Sequence, residues 1–238
     1  MSYLAISIKE AINNINNHST DGWFLPAIQR PYVWGSRHEN ELYICKLFDS
    51  ILKGHPIGGL ILWKTAEEVP FREFITDYSL YEFSKLTDQG MHEKSDKCLV
   101  YDGQQRLQTL FSCLRYTFNG KVLVFDVLFD AKTEHDPDTT GFSFVPKNQT
   151  VDPNMIRMNA LFSKRIDDEK REYRKSVIHA VPDMDDSKEA LIESNIDKLW
   201  DIFVRTDTKV VKWNDSAPPY PSPRQERSTN LTNPKLES

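Results

Sequence analysis

Over residues 98–129 the chain changes its hydrophobic period twice in quick succession, and that restricts the folds open to it. Cys98-Leu99-Val100-Tyr101 is an apolar run of strand length that stops at Asp102-Gly103, a dipeptide suited to a sharp turn. Over residues 104–118 the apolar side chains Leu107, Leu110, Phe111, Leu114 and Phe118 recur on one face of a helix. Residues 121–129 then form a near-continuous apolar strand, with residues 142–145 as its expected partner. A helix with a single apolar stripe, set between strands, has to bury that stripe on a sheet. The pattern predicts an α+β fold, a small mixed sheet with helices packed on it.

The flanking sequence extends this reading. Ser7-Ile8-Lys9-Glu10 is a capping box, and Ile8, Ala11, Ile12 and Ile15 share the face of the helix it opens. A second box, Ser36-Arg37-His38-Glu39, precedes a helix with Ile44, Leu47, Phe48 and Ile51 inward and Gly54 at its C-terminus. Further strands are expected near residues 25–29 and 57–63, and residues 65–97 read as a polar insertion. Asp152-Pro153 suits the start of a helix. A charged helix is expected from residue 163 to about 180. A last one runs from about 187 to 204, with Ile192, Ile196, Leu199, Trp200 and Phe203 inward. The expected division is a core at 1–150, a helical extension at 151–212 and a tail at 213–238. The tail is rich in Pro, Ser, Asn and Thr, so it buries too little to offset its ordering entropy and is expected to be disordered.

With 238 residues, 39% of them hydrophobic, the chain can bury a real core. No apolar run reaches bilayer length and residues 1–5 lack the features of an export signal, so a cytoplasmic protein without a membrane partner is expected. Cys45, Cys98 and Cys113 are odd in number and far apart, which predicts free thiols. A net charge of −5 argues against a surface coated for nonspecific DNA binding, while leaving room for a local basic patch.

Two segments carry candidate chemistry. In Asp102-Gly103-Gln104-Gln105-Arg106 a strand ends in a carboxylate, a glycine turns the chain, and a helix opens with two amides and a guanidinium. Helix starts attract anions, an Arg fork suits phosphate, and Asp102 could hold a metal ion or a water. Gln104 and Gln105 could orient a water. A purely structural reading fits the same residues: Asp102 caps, Gly103 turns, Arg106 pairs with a carboxylate. In Ile28-Gln29-Arg30-Pro31-Tyr32-Val33-Trp34, Arg30 with Tyr32 and Trp34 could clamp a base or a phosphate, or the rings could be core and Arg30 a surface cation.

Taken in order with Ser50-Ile51-Leu52-Lys53-Gly54-His55-Pro56-Ile57-Gly58, these two segments resemble the N-terminal domain of GmrSD-type restriction enzymes over about residues 5–212. The resemblance implies a core similar to the ParB/sulfiredoxin fold. It also implies nucleotide binding and NTP hydrolysis with Mg2+, coupled to sensing modified foreign DNA. On that basis Asp102, Gln104, Gln105 and Arg106 are the expected catalytic residues, and Asp102 is the expected metal ligand. Gln29, Arg30, Gly103 and Arg106 are expected to bind phosphate. The alternatives are a DNA- or nucleotide-binding module without turnover, and an inactive fragment. Full-length relatives cut DNA with a His-Asn-His-type domain. The six histidines here are scattered, so a nuclease encoded separately is the expected partner. A later block typical of the family, with Arg-Leu-Asn and Gly-Gly, is missing. This suggests a truncated frame whose last helix is left with an uncovered apolar face.

Overall fold

In the computed structural model, residues 5–18, 22–30, 32–34, 40–79, 96–133, 136, 139–165 and 167–206 are described. The second capping box, about half of the polar insertion (80–95) and the tail fall outside them. In chain order the elements are α1 (Ile8–Asn14), β1 (Gly22–Pro26), α2 (Asn40–Leu52), β2 (Ile61–Thr65), β3 (Phe71–Arg72), β4 (Lys97–Asp102) and α3 (Gln104–Arg115). They continue with β5 (Lys121–Asp126), β6 (Phe142–Pro146), β7 (Met155–Arg157), α4 (Met158–Phe162), α5 (Asp167–Ala180) and α6 (Asp186–Phe203). The α+β class is as expected.

The strands divide between two sheets. One has the order β2-β4-β1-β3 and is mixed: β1 runs parallel to β4, while β2 and β3 are antiparallel to their neighbours. The other is antiparallel, β6-β5-β7. The single sheet expected from the sequence is replaced by two because β5 finds both of its partners in later sequence. Side chains alternate across the first sheet. Trp23, Leu25, Cys98 and Val100 enter the main core, while Phe24 and Leu99 join Phe71 in a small cluster of their own.

Local signals account for two of the helix starts. Ser7 Oγ accepts from the Glu10 amide at 3.1 Å. Asp185 caps α6 by accepting from the Lys188 amide at 2.8 Å. Ile44, Leu47, Phe48 and Ile51 are buried as the stripe on α2 requires. Helix α3 stops at Arg115, three residues earlier than expected, because Tyr116 leaves the helical region (φ −130°, ψ −144°) and Thr117 and Asn119 bond to Asp77 and Tyr78 instead. Asp152-Pro153 does not open a helix. The Met155 amide bonds to the Asp152 carbonyl in a turn, and the chain enters β7 against the free edge of β5.

One core runs from Ala11 to Val204. Phe203 stacks on Phe48 at 5.6 Å, and Phe48 meets Phe142, so α6, α2 and β6 share one aromatic contact. Ile192, Ile196, Leu199, Trp200 and Phe203 are all buried. The apolar face of the last helix is therefore covered, contrary to the expectation that it would lack a partner. Asn195 lies on the same helix and donates to the carbonyls of Val127 and Phe129, tying α6 to the end of β5.

None of the three cysteines is in a disulfide, and all three are buried. Burial, with Glu41 adding to it, pushes the Cys45 thiol up to about 12, and burial raises Cys113 well above its ordinary value. A raised pKa in the fold leaves stability intact below the unfolded-state value and lowers it as pH climbs through the folded one. The thiolate is the reactive species. At pH 8, Cys45 and Cys113 should resist alkylation in the folded chain and react in step with global unfolding. Mass spectrometry along a urea series reads this directly, and rapid labelling without denaturant would contradict it. Among the described residues, no helix is long and apolar enough to cross a membrane.

Candidate functional site

The Asp102-Gly103-Gln104 turn sits where β4 passes directly into α3. Gly103 adopts φ +86°, a left-handed conformation that side chains disfavour, and it caps α3 without a side-chain hydrogen bond. A Cβ here would meet Leu60 Cδ2 at 2.3 Å. At Gly58, with φ +87°, a Cβ would lie 2.7 Å from Arg106 Nη1. The loop preceding β2 is therefore drawn hard against the start of α3, which only glycine at both positions permits.

Arg106 holds this contact. Its Nη1 donates to the Ile57 carbonyl, and its Nη2 donates to the Gly59 carbonyl at 2.9 Å and lies 3.5 Å from Asp102. Both ends of the fork are thus occupied by the chain itself. The Asp102 carboxylate is 66% exposed, so the pair is weak and the acid remains open to a ligand.

The 29–33 segment comes to the same place, held mainly through its backbone. Gln29 Nε2 donates to the Tyr101 carbonyl at 3.0 Å. The Arg30 carbonyl accepts from Gln104 at 3.4 Å and from Arg72 at 3.1 Å, and Arg72 also reaches the Gln29 carbonyl. The Val33 amide donates to Gln105 Oε1 at 2.9 Å. Tyr32 is buried with its hydroxyl 2.7 Å from Thr109 Oγ1, and burial raises its pKa well above the phenol range, so it stays neutral. Gln104 and Gln105 are both buried. Gln108, one turn on, exchanges two hydrogen bonds with the backbone of Ile75.

The expected residues Gln29, Asp102, Gly103, Gln104, Gln105 and Arg106 therefore converge, together with the backbone of Arg30. Arg30 itself is exposed on an anchored main chain. Trp34 is only partly buried.

Sequence reasoning missed several neighbours. Trp63 on β2 and Tyr101 on β4 meet edge to face at 5.8 Å, and both are exposed, at 37% and 41%. They lie near the end of β4, where Tyr101 precedes Asp102 and strand alternation turns the side chains of Tyr101 and Asp102 to opposite faces of the sheet. The apolar run around Trp63 is an exposed edge strand, which apolar content alone does not reveal. Arg72 and Gln108, which fix the two loops, sit in segments whose pattern gave no cue. Among the described residues, no group of three His, Cys, Asp or Glu side chains converges on a common point.

No curated protein matches this chain. A family model described as the GmrSD restriction endonuclease, N-terminal domain, matches residues 8–219. The match takes in both sheets and the turn at Asp102, and runs past residue 213, where the composition of the chain changes. The chain belongs to the GmrSD restriction endonuclease N-terminal domain family.

Proposed function

We propose that this chain binds a nucleoside triphosphate at the Asp102–Arg106 turn and hydrolyses it, as the sensing part of a system that restricts modified foreign DNA. In this reading the cutting of DNA falls to a separate nuclease. The family sets the restriction context. The observation that carries the nucleotide reading is the exposed Asp102 carboxylate at a glycine-capped helix start; the exposed Trp63 and Tyr101 rings lie at the same end of β4. Amides at a helix start favour phosphate, and exposed aromatic rings favour a base. A core of ParB/sulfiredoxin type is part of the same proposal.

Each residue then has a role that its contacts allow. Asp102 would hold Mg2+ together with phosphate oxygens and water, since this cation commonly needs only one or two protein carboxylates. The ion would neutralise charge developing on the phosphates during in-line attack by water. Gly103 would serve the phosphate site indirectly, by giving the turn its left-handed backbone and letting the 57–60 loop pack against the start of α3. Arg30 supplies a cation for the phosphates. Arg106, with both ends of its fork on carbonyls, acts by fixing Asp102 and the 57–59 loop, more than as a direct phosphate ligand.

The test is phosphate release from GTP, ATP, UTP and CTP with magnesium, for the parent and Asp102→Ala side by side. Turnover should appear in the parent and fall to background in the variant. Equal turnover in both would remove Asp102 from the mechanism. A Trp63→Ala variant should weaken nucleotide binding by roughly 5- to 100-fold, the usual worth of one base stack, and unchanged affinity would take the base away from this ring.

A second reading, binding without turnover, is favoured by one observation. Gln104 through its Nε2 and Gln105 through its Oε1 are committed to the backbone of the 29–33 segment, which limits how either amide can orient a water. Saturable nucleotide binding with no phosphate release above the Asp102→Ala control would establish it.

A further inference from the structure

At the far end of α3, roughly 16 Å from the Asp102 turn by helix rise, lies a second concavity that the proposed function does not use. Its volume is about 520 Å³, within the range of small-molecule sites. Three cations line it: Lys9 of α1, Arg115 of α3, and Arg165 just before α5. Asn13, Tyr116 and Asn159 contribute polar edges and a ring.

Among the described residues, the charges there are poorly balanced. Lys9 Nζ donates to the carbonyls of Phe162 and Lys164, and sits 3.9 Å above the Phe162 ring. Arg115 donates to the neutral amide oxygen of Asn13. Glu169 accepts from the backbone amide of Arg165. Among the described residues, no carboxylate forms an ion pair with Lys9, Arg115 or Arg165. Burial first, then the two guanidiniums, bring the Lys9 ammonium down to about 8, with Glu169 opposing only in part. A buried cation held by carbonyls and flanked by two more cations marks a site of positive potential that an anion would neutralise. In a chain with net charge −5, such a cluster is a local exception.

We propose that this pocket binds a phosphate-bearing ligand of nucleotide size, with Lys9, Arg115 and Arg165 on the phosphate. Two guanidinium forks and an ammonium match the oxygens of a di- or triphosphate. The side chains of Asn13, Asn159 and Tyr116 suit the organic part. The site is independent of the Asp102 turn and needs no metal ion.

The experiment titrates the full chain with pyrophosphate in EDTA, by calorimetry, beside Arg165→Gln, Arg115→Gln/Arg165→Gln and Asp102→Ala. Arg165 is exposed, and among the described residues its side chain makes no hydrogen bond or ion pair, so Arg165→Gln keeps the test valid if the double variant folds poorly. Saturable binding is expected in the parent and in Asp102→Ala. Affinity should fall at least threefold in Arg165→Gln and at least tenfold in the double variant. Competition then separates two sources of the phosphate. Displacement of pyrophosphate by a nucleoside triphosphate but not by duplex DNA assigns a free nucleotide, while displacement by the duplex, lost on adding salt, assigns a DNA backbone. No saturable binding in the parent, unchanged affinity in Arg165→Gln, or loss of binding in Asp102→Ala would each overturn the proposal. The last result would place the anion at the turn and leave the nucleotide reading there intact.

Discussion

Phe203→Ala is expected to destabilise the chain by about 3–5 kcal/mol, the usual cost of truncating a buried phenylalanine. Phe203 is fully buried and stacks on Phe48, which in turn touches Phe142. The cavity would therefore open where α6, α2 and β6 meet, and backbone already tied by Asn195 cannot easily collapse into it. Domains of this kind have roughly 5–15 kcal/mol in total, so the variant should unfold at far lower urea. The loss should register equally in helical circular dichroism and in amide exchange of β1 and β4, which lie elsewhere in the same core. Tyr43→Ala, at an exposed position on α2, is the control and should change stability by less than about 0.5 kcal/mol. Exchange that accelerates only in α6, with the strands untouched, would mean that the helix does not share the core.

Gly103→Ala should cost about 2–4 kcal/mol, from a disfavoured backbone conformation plus a steric conflict. The two parts can be separated. Gly120 also has positive φ, +71°, but a Cβ there would meet nothing within 4 Å. Gly120→Ala should therefore show the backbone part alone, about 1–2 kcal/mol. At Gly103 the added methyl meets Leu60 Cδ2 at 2.3 Å and the Gly59 carbonyl at 3.4 Å. Leu60→Ala in the Gly103→Ala background should restore part of the loss, a coupling that a double-mutant cycle measures. Equal costs at Gly103 and Gly120 would show that the loop does not press on the turn.

What the sequence made legible depended on how far along the chain each feature acts. The Ser7 cap, the stripe Ile44-Leu47-Phe48-Ile51 and the stripe ending at Phe203 all act within a few turns, and they stand as read. The pairing of residues 121–126 with 142–146 was also legible, because both segments are apolar and close in sequence. Phe71–Arg72 was not, since two residues carry no period and that strand exists only through its pairing with Leu25 and Pro26. Strand β2 slipped from the expected 57–63 to 61–65 because Arg106, far away in sequence, claims the carbonyls of Ile57 and Gly59. Asp152-Pro153 misled for a similar reason, as the edge of β5 was available to the segment that follows. At the candidate site the residue types were legible, but the partners of Gln104, Gln105 and Arg106 were not. All three bond to main-chain atoms from distant segments, and a main-chain atom leaves no mark in the sequence.

The glutamines along α3 grip their neighbours almost entirely by the peptide backbone: Arg30 and Ile75 through their carbonyls, Val33 and Ile75 through their amides. A peptide group is the same whatever side chain it bears. The 29–33 loop is thus clamped in position without its outward residues, Arg30 and Val33, being prescribed by the clamp. A scaffold of that kind can exchange the chemistry it displays while keeping its shape.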